Sequence, residues 1–559
     1  MSDVGDDCLE QREMSDVGED HLEQKEMSDV GDDCQEQREM SDMGEDRLEQ
    51  KEMSDVGDDC LEQREMSDMG EDRLEQREMS DLGDDQSVQM SATRSPTRPW
   101  LVESFMGRGV LGVRVDKEEL RRKIQIPDYI RKAFSEAVRS KYIGGDFDFC
   151  VEEVVDPPDS PIVVFVNSKS GGRQGAALKG WLQNFVGEEQ VFDISLINPL
   201  DFVRYGLASL EHLAWTGDYC AKQIRNKLRI MVAGGDGTVG WVLGCLGELY
   251  EYDRMPVPPI GIIPLGTGND LSRSFGWGGS FPFVWRSAVK RSITKAITGG
   301  ICLLDSWRVM VTIKSQETVL LPHSLKRINE HTFRYAKEGF DGSFPKDVSC
   351  FGGVFYNYFS IGMDAQVAYG FHHLRDEKPF LAQGPIANKL IYSGYSCTQG
   401  WFFTPCLSDP GLRGLKNIVR LYIKKTDSLE WQQVRFPSSV RAIIALNLHN
   451  YGSGRQPWGH LKPEYMEKKG FVESDSADGL LEIFGLKEGW HASFVMSELI
   501  SAKHIAQATS VRLEIKPGDC KGAFMQMDGE PWKHPIDDEH STFVDIKRVP
   551  NQSIMINGE

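Results

Sequence analysis

The sequence predicts an α/β protein in which a parallel α/β domain is followed by a mainly antiparallel β domain, behind a disordered acidic tail. Three observations predict this fold class. Residues 1–86 form a short acidic repeat with too few apolar residues for a core. Between residues 159 and 302, three apolar runs each end in a glycine-containing loop and are followed by helical periodicity. After Leu303, short β-branched and aromatic runs alternate with turns.

The first 86 residues repeat every 13 residues. The unit Met-Ser-Asp-Val-Gly-Asp-Asp-Cys-Leu-Glu-Gln-Arg-Glu starts at Met1 and recurs in frame to a truncated copy at Met79. The chain has a net charge of −22 and residues 1–86 carry −25, so the remainder carries the difference, +3. An EF-hand would need glycine at its sixth position, whereas Gly5 comes too early. We therefore predict a self-repelling, disordered tail, whose protein partner the sequence does not identify.

A linker and a helical lead-in follow the tail. Residues 87–119 begin with a stretch rich in Ser, Thr and Pro and are predicted to be the linker. Residues 120–158 are predicted to contain an amphipathic helix between Pro127 and Tyr142. Its apolar face consists of Tyr129, Ile130, Ala133, Phe134, Ala137 and Val138. This helix either docks on its own protein or lies on an anionic bilayer, and docking is the favoured alternative.

Three strand-to-loop transitions organise residues 159–302. The apolar runs are Pro161–Val166, Ile230–Ala233 and Ile260–Pro264, and they predict parallel strands whose carboxyl ends share a nucleotide-binding crevice. Further helices are predicted at 201–214, 219–227 and 281–298. The loops contain the candidate nucleotide-binding residues Asn167, Ser168, Ser170, Gly171, Gly172, Gly234, Gly235, Asp236, Gly237, Thr238, Gly266, Thr267, Gly268, Asn269 and Asp270.

The central loop, Gly234–Thr238, has the chemistry of a phosphate site. Glycine lacks Cβ, so backbone N–H groups can approach a phosphate at the positive end of the following helix. Thr238 is expected to cap that helix. No Lys follows the glycines, which excludes a Walker A loop, and an acidic residue beside phosphate implies a bridging Mg²⁺ on Asp236. A tight turn with a local Asp remains the alternative for this loop in isolation.

The second half of the chain predicts a β-rich domain over residues 303–550. Its short β-prone runs are 303–313, 352–361, 417–425, 440–447, 479–486, 510–516 and 542–547. Turns separate these runs, as in an antiparallel sheet.

The cysteine spacing and the hydropathy of the sequence indicate where the protein is located in the cell. None of the 11 cysteines belongs to a Cys-x-x-Cys pair, so paired zinc modules are not expected. No apolar run reaches the roughly 18 residues of a membrane span, and the start of the chain has no signal-peptide core. We expect a cytoplasmic protein with peripheral membrane contact and no nucleic-acid partner.

Three loop motifs give the first domain a specific resemblance. The segments Asn167–Gly172, Gly234–Trp241 and Pro264–Asp270 resemble the catalytic domain of diacylglycerol kinases, and Trp241 favours them over related kinases. Ser168 stands where many members carry Pro. The missing zinc modules make the chain similar to the shorter plant members.

The second domain adds further motifs similar to the accessory region of the same kinases. These are Asn357–Asp364, Phe371–Arg375 with Asn388–Lys389, Ala477–Glu482 and Met527–Glu530. The resemblance implies an ATP-binding domain over residues 159–302 and a lipid-binding accessory domain over 303–550. It also implies that Arg375 and Lys389 face lipid or phosphate.

The implied activity is ATP- and Mg²⁺-dependent phosphorylation of diacylglycerol to phosphatidic acid, a lipid-signalling reaction. The alternatives are a sphingosine- or ceramide-type kinase, a soluble NAD kinase, and a non-catalytic lipid-binding scaffold. Each differs in the acceptor that it would phosphorylate or in lacking activity.

Two carboxylates compete for the role of catalytic base. Asp236 belongs to the phosphate loop, whereas in relatives the equivalent of Asp478 faces the interdomain cleft. A carboxylate that coordinates Mg²⁺ is a poor base because the metal lowers its proton affinity. This favours Asp478. The alternative is that Asp478 only opens a turn before the strand that starts near Leu480.

Overall fold

The computed structural model describes residues 116–143, 156–171, 174–282, 285–314, 319–329, 348–377, 415–426, 428, 430–487, 495, 497–518 and 522–559. The predicted tail and most of the predicted linker lie outside the described residues, as do Gly172 and Lys389. None of the described helices combines the length and the apolar character that crossing a bilayer requires.

The described chain begins with two short helices. Helix α1 (Lys117–Ile124) is capped by Asp116, whose carboxylate accepts a hydrogen bond from the backbone N–H of Glu118. Helix α2 (Asp128–Ser140) starts directly after Pro127. Its apolar face, which includes Phe134, is buried in the same core as the first sheet. The amphipathic helix therefore docks on the protein, as predicted.

A parallel sheet forms the centre of the first domain. Its strands are β1 (Ile162–Val166), β2 (Val191–Asp193), β3 (Arg229–Gly234) and β4 (Ile260–Pro264), in the order β2-β1-β3-β4. All three pairings between neighbours run parallel, and β1 and β4 are buried along their whole length. The three predicted runs therefore form adjacent strands, and the α/β prediction for this part of the chain is confirmed.

Helices connect and cover these strands. They are α3 (Gln174–Val186), α4 (Leu207–Trp215), α5 (Tyr219–Lys227), α6 (Asp236–Glu251), α7 (Asp270–Ser274) and α8 (Trp285–Thr298). A short helical turn, Pro199–Asp201, and a π-helical turn, Phe202–Gly206, run into α4 without a break. The antiparallel strand β5 (Ile301–Leu304) ends this part of the chain.

The second domain is built from antiparallel strands. They are β6 (Trp307–Lys314), β7 (Lys326–Ile328), β8 (Val348–Phe355), β9 (Tyr358–Gly362), β10 (Val419–Lys424), β11 (Gln432–Val434), β12 (Val440–Leu446), β13 (Leu481–Lys487), β14 (Lys503–Ala508), β15 (Ser510–Ile515), β16 (Ala523–Met527), β17 (Glu530–His534) and β18 (Thr542–Arg548). Within the described residues three helices accompany them: α9 (Met363–Glu377), α10 (Leu415–Ile418) and α11 (Pro463–Lys469).

These strands form two sheets with one shared core. One sheet has the order β11-β10-β15-β18-β6-β8-β7, and the other has the order β14-β13-β12-β9-β16-β17. Trp307 and Phe355 from the first sheet and Phe359 and Trp532 from the second belong to one cluster of buried side chains. The sheets therefore pack face to face, as in a β-sandwich.

Two predicted strands are each divided into two. The run 303–313 is broken at Asp305, which leaves β5 in the first sheet and β6 in the sandwich. The run 352–361 is broken at Asn357, so that β8 and β9 belong to opposite sheets. The Asp528 carboxylate accepts the backbone N–H groups of residues 356, 357 and 358, at distances of 2.8, 2.8 and 3.0 Å. The Asp528 side chain therefore satisfies three backbone N–H donors of this turn. No local sequence pattern predicts the turn, because its partner is distant in the chain.

The chain returns to the first sheet at its end. Strand β19 (Ser553–Ile556) lies between β4 and β5, so the complete order is β2-β1-β3-β4-β19-β5. It pairs parallel to β4 at Met555 and antiparallel to β5 over its full length. The indole N–H of Trp277 donates to the carbonyl of Ile556 at 2.9 Å. The sequence prediction did not include this strand, because its partners lie about 250 (β5) and 295 (β4) residues earlier in the chain.

Replacing Ile556 by Ala should destabilise the first domain, because this side chain is fully buried in the core. A large-to-small change at such a site costs about 2–5 kcal/mol of unfolding free energy. The measurement is the shift in the thermal or urea transition. Ile554→Ala is the matched control, since Ile554 on the same strand is only partly buried and should lose less. Equal losses from both variants would contradict the placement of β19.

Candidate active site

The three glycine-containing loops meet at the carboxyl edge of the parallel sheet. Asn167, directly after β1, donates its backbone N–H to the carbonyl of Ala233 at 2.9 Å. Its side-chain amide donates to Thr238 Oγ1 at 3.2 Å. A Cβ added at Gly235 would lie 3.2 Å from the Cα of Gly266. The loops after β3 and β4 therefore approach so closely that a side chain at Gly235 would push them apart.

Thr238 does not cap helix α6, which corrects the sequence prediction. The helix starts at Asp236 after an N-cap at Gly235, and no side chain caps it. Thr238 lies in the first turn, where its hydroxyl accepts the bond from Asn167, and its Cβ would be 2.5 Å from a Cβ at Gly234. Gly234 is thus needed to make room for Thr238. The N–H of Thr238 donates to the carbonyl of Gly235, so the N–H groups that precede Thr238 are the donors that an anion would use.

The loop after β1 contributes hydroxyl and backbone groups. The Ser168 and Ser195 hydroxyls are 3.3 Å apart, which links this loop to the end of β2. The backbone N–H of Ser170 donates to the carbonyl of Asn167, and Gly171 has a left-handed φ of +64°. A residue with Cβ would be strained at Gly171. The tight turn after β1 therefore forms with Ser168 in this position.

The loop after β4 is held by Asn269, which adopts the left-handed conformation with φ 56°. Its side-chain amide donates to the carbonyls of Gly266 and Gly279, at 2.8 and 3.0 Å. The other amide atom, Oδ1, is buried and has no hydrogen-bond partner among the described residues. Gly268 and Thr267 complete the loop next to Gly266.

The Asp270 carboxylate is committed to the protein itself. It is buried and accepts the backbone N–H groups of Ser453 and Gly454 from the second domain. Asp270 was predicted to bind nucleotide. In the structure its side chain attaches the third loop to the second domain, and the nucleotide-binding role stays a prediction.

Asp236, in the loop after β3, contacts the start of α7 and the second domain through one carboxylate oxygen. Oδ2 accepts the backbone N–H of Asp270 at 2.8 Å, that of Leu271 at 3.3 Å, and the side-chain amide of Asn357 at 3.0 Å. Burial, together with the nearby charge of Asp270, raises the pKa of this carboxyl to about 7. The other oxygen, Oδ1, is buried and has no hydrogen-bond partner in the part of the chain that the structure describes.

The unpaired oxygens test whether the site fits a metal. Asp236 Oδ1 and Asn269 Oδ1 are buried oxygen acceptors without donors among the described residues, and Mg²⁺ prefers oxygen ligands. No group of three or more His, Cys, Asp or Glu residues in the described ranges could hold a metal alone. Mg²⁺ is usually held by one or two carboxylates together with substrate phosphates. The donors therefore fit a metal that arrives with a nucleotide.

Asp478 lies in the loop that precedes β13. Its Oδ1 accepts the backbone N–H of Leu480 at 2.8 Å, so the turn that was considered as the alternative role is present. The residue is exposed, yet the protein around the carboxyl group excludes enough water to raise its pKa to about 6, and the charges of Asp475 and Asp305 contribute. Because the turn uses one carboxylate oxygen, it is compatible with a second role for Asp478.

A chain of hydrogen bonds runs from Asp236 to the Asp478 loop. Asn357, which donates to Asp236, accepts at its carbonyl the backbone N–H of Asn447 at 2.9 Å. The Asn447 side chain donates to the carbonyl of Asp305 at 2.9 Å. The carboxylate of Asp305 accepts the backbone N–H of Gly479 at 2.7 Å. The sequence predicted no role for Asn357, Asn447 or Asp305. Only Asn357 belonged to one of the motifs, Asn357–Asp364.

The remaining predicted residues are placed less completely. Arg375 belongs to α9, but its side chain is not described. Lys389 and Gly172 lie outside the described residues. Gly237 is exposed in the first turn of α6, with open space where a Cβ would be.

Replacing Asp236 by Asn should raise the melting temperature at pH 8 by at least about 2 °C, which corresponds to less than 1 kcal/mol in a domain of this size. The folded protein holds the Asp236 proton more tightly than the unfolded chain, so the wild type loses stability as pH rises from about 4 through about 7. The amide keeps one oxygen for the three donors and has no charge.

The melting temperatures of both proteins at pH 5 and pH 8 test this prediction. The advantage of the Asp236→Asn variant should be smaller at pH 5. Asp253→Asn, on the exposed surface, is the control. The difference between its melting temperature and that of the wild type should be the same at both pH values. An Asp236→Asn variant that is less stable than wild type at pH 8 would contradict the prediction. It would show that the protein compensates the negative charge of Asp236.

Comparison with known proteins agrees with this geometry. The diacylglycerol kinase catalytic domain model matches residues 161–301, and the diacylglycerol kinase accessory domain model matches residues 354–531. Diacylglycerol kinase 4 of Arabidopsis thaliana is 61% identical over 455 residues, which cover 80% of this chain and 92% of the relative. Diacylglycerol kinases 7 and 3 of the same plant are 58% and 56% identical, with 80% and 83% of this chain and 92% and 96% of each relative covered. The chain belongs to the diacylglycerol kinase family.

Proposed function

We propose that this protein is an ATP-dependent diacylglycerol kinase that transfers the γ-phosphoryl group to the free hydroxyl of diacylglycerol and forms phosphatidic acid. The observation that carries the proposal is the meeting of three glycine-containing loops at one sheet edge in a chain of this family. Phosphoryl transfer depends mainly on positioning and on neutralisation of charge. The loops provide backbone donors for both purposes.

The nucleotide is assigned to the loops after β1, β3 and β4. The predicted binding residues Asn167 to Gly171 and Gly234 to Thr238 are assigned to the phosphates, which would lie at the amino end of α6. In this proposal Asp236 and Asn269 would hold Mg²⁺ through their unpaired oxygens, and the chemistry supplied there would be neutralisation of phosphate charge. Asp236 also keeps the two loops in register through Oδ2.

Asp478 is assigned as the base that takes the proton from the lipid hydroxyl. With a pKa of about 6, its carboxyl group is ionised at neutral pH and can accept a proton. Asp236 is less suitable because its Oδ2 is already used by three donors and its Oδ1 is assigned to the metal.

The domain assignment follows the same division of labour. Residues 159–302 form the nucleotide-binding domain and residues 303–550 the accessory domain that binds lipid, with Arg375 and Lys389 facing lipid or phosphate. The protein acts in lipid signalling at the surface of a membrane, where its substrate resides, and it associates peripherally from the cytoplasm.

Acceptor specificity tests the function. The full-length protein is given labelled ATP and Mg²⁺ with mixed micelles that contain diacylglycerol, sphingosine or ceramide, and soluble NAD is tested separately. We expect label in phosphatidic acid and at most trace label in the other products. Transfer to sphingosine or ceramide instead would replace the proposed substrate, and absence of transfer to every acceptor would support the scaffold alternative.

Replacing Asp478 by Asn should lower kcat by about 10²- to 10⁴-fold, the usual contribution of a positioned base, with little change in ATP affinity. In the wild type, kcat/KM should fall as pH drops below about 6, because the base becomes protonated. Asp475→Asn is the control. It should keep most activity and move this decline to lower pH, since the Asp475 charge raises the pKa of Asp478. An Asp478→Asn variant with more than about a tenth of wild-type kcat would refute the assignment.

A further inference from the structure

Asp305 occupies the segment where the chain first crosses from the parallel sheet to the β-sandwich. It lies between β5 and β6, and its side chain is completely buried. Its carboxylate Oδ2 accepts the backbone N–H of Gly479 at 2.7 Å, and its own backbone N–H donates to the carbonyl of Ser476 at 2.8 Å. Asp305 therefore holds the Asp478 loop on both sides of Asp478.

Gln552 occupies the second crossing, where the chain returns from β18 to β19. Its side-chain amide donates to Asp305 Oδ1 at 3.0 Å and to the carbonyl of Ala477 at 2.9 Å. Its carbonyl accepts the hydroxyl of Tyr250, which is on α6, the helix that starts at Asp236. Both crossings between the domains are thus attached to the loop that carries Asp478.

The backbone of this loop leaves little freedom for other arrangements. Gly479 has a left-handed φ of +78°, and an added Cβ would lie 2.8 Å from the Arg548 guanidinium. Arg548 approaches Asp305 Oδ1 at 3.5 Å and provides partial charge balance for the buried carboxylate. Three backbone groups that flank Asp478 (the carbonyls of residues 476 and 477 and the N–H of Gly479) are therefore held by two side chains and a backbone N–H from the crossings.

We propose that Asp305, together with Gln552, is a positioning residue that sets the place of the Asp478 carboxylate relative to the nucleotide loops. Asp305 does not contact the reacting groups itself. It acts through the hydrogen bonds that it makes to the Asp478 loop, and these bonds tie that loop to the segments that join the two domains. The inference rests on the proposed role of Asp478 as the base.

The requirement for a carboxylate follows from the number of donors. Gly479 N–H and the Gln552 amide approach different oxygens of Asp305. An Asn side chain has one acceptor oxygen and one NH₂ group, so it would satisfy one donor and oppose the other. The volume of the side chain would not change. Asp305→Asn thus releases the loop without opening a cavity.

Steady-state kinetics of the full-length protein test the proposal. Asp305→Asn should lower kcat by on the order of 10- to 100-fold, because a misplacement of about 1 Å can cost about that much. The KM for ATP should stay within a few-fold of the wild-type value. Gln552→Leu removes the bonds to Ala477 and Asp305 and should lower kcat in the same direction. If Asp305→Asn fails to fold, as judged by its melting transition, Gln552→Leu decides the question.

The combination with Asp478→Asn separates positioning from a general structural effect. In the Asp478→Asn background, Asp305→Asn should have almost no further effect on kcat, because the group that it positions is gone. Equal losses in both backgrounds would overturn the positioning role. Asp478→Asn with near-wild-type activity would instead overturn the base assignment, and an inactive Asp478→Asn with a fully active Asp305→Asn would overturn only the present inference.

Asp537→Asn is the matched control. Asp537 is also a buried aspartate that holds a loop, through the backbone N–H groups of Glu539 and His540 and an ion pair with Lys314. Lys314 and Asp305 lie at opposite ends of β6, which separates the two loops by the length of that strand. This variant should keep kcat within about two-fold of wild type, and a loss equal to that of Asp305→Asn would contradict the proposal.

Discussion

The single carboxylate oxygen of Asp236 that accepts three hydrogen bonds is the constraint on which the site depends. Two of its donors belong to the loop after β4 and the third, Asn357, belongs to the accessory domain. Three donors on one oxygen stabilise the ionised form, yet burial and the charge of Asp270 raise the pKa above its ordinary value. The protein thus keeps an energetically costly group at the point where a metal would compensate it, which is typical of functional sites.

The same oxygen begins the connection between the domains. From Asn357 the hydrogen bonds continue through Asn447 and Asp305 to the loop of Asp478. Every member of this series of hydrogen bonds is a backbone group, an amide or a carboxylate with defined donors and acceptors. Such a series fixes the distance and orientation of the residues it joins better than apolar packing, because each bond tolerates little displacement. The two candidate catalytic carboxylates are therefore held in one frame, although they belong to different domains.

Local patterns predicted the parts of the fold that local chemistry determines. The strands β1, β3 and β4 and the loops after them follow from apolar runs that end in glycine, and the docked helix α2 follows from its apolar face. The prediction that Thr238 caps α6 was wrong, because the helix already begins at Asp236. Hydrogen bonds to a distant part of the chain decide the position of Asp236. Asn447 and Asp305 had no signal, since their contacts join residues more than 90 positions apart. The division of roles between Asp236 and Asp478 stays a prediction.

The position of β19 has a consequence for biosynthesis. On a ribosome the chain emerges in order, and domains generally fold as they appear. Here the strand between β4 and β5 is made only after the entire sandwich has been translated. The nascent first sheet therefore has a gap beside β4 until residues 553–556 leave the exit tunnel. Premature termination anywhere in the second half would leave one edge of β4 open and β5 without its partner strand, so an incomplete polypeptide would lack a finished nucleotide-binding domain.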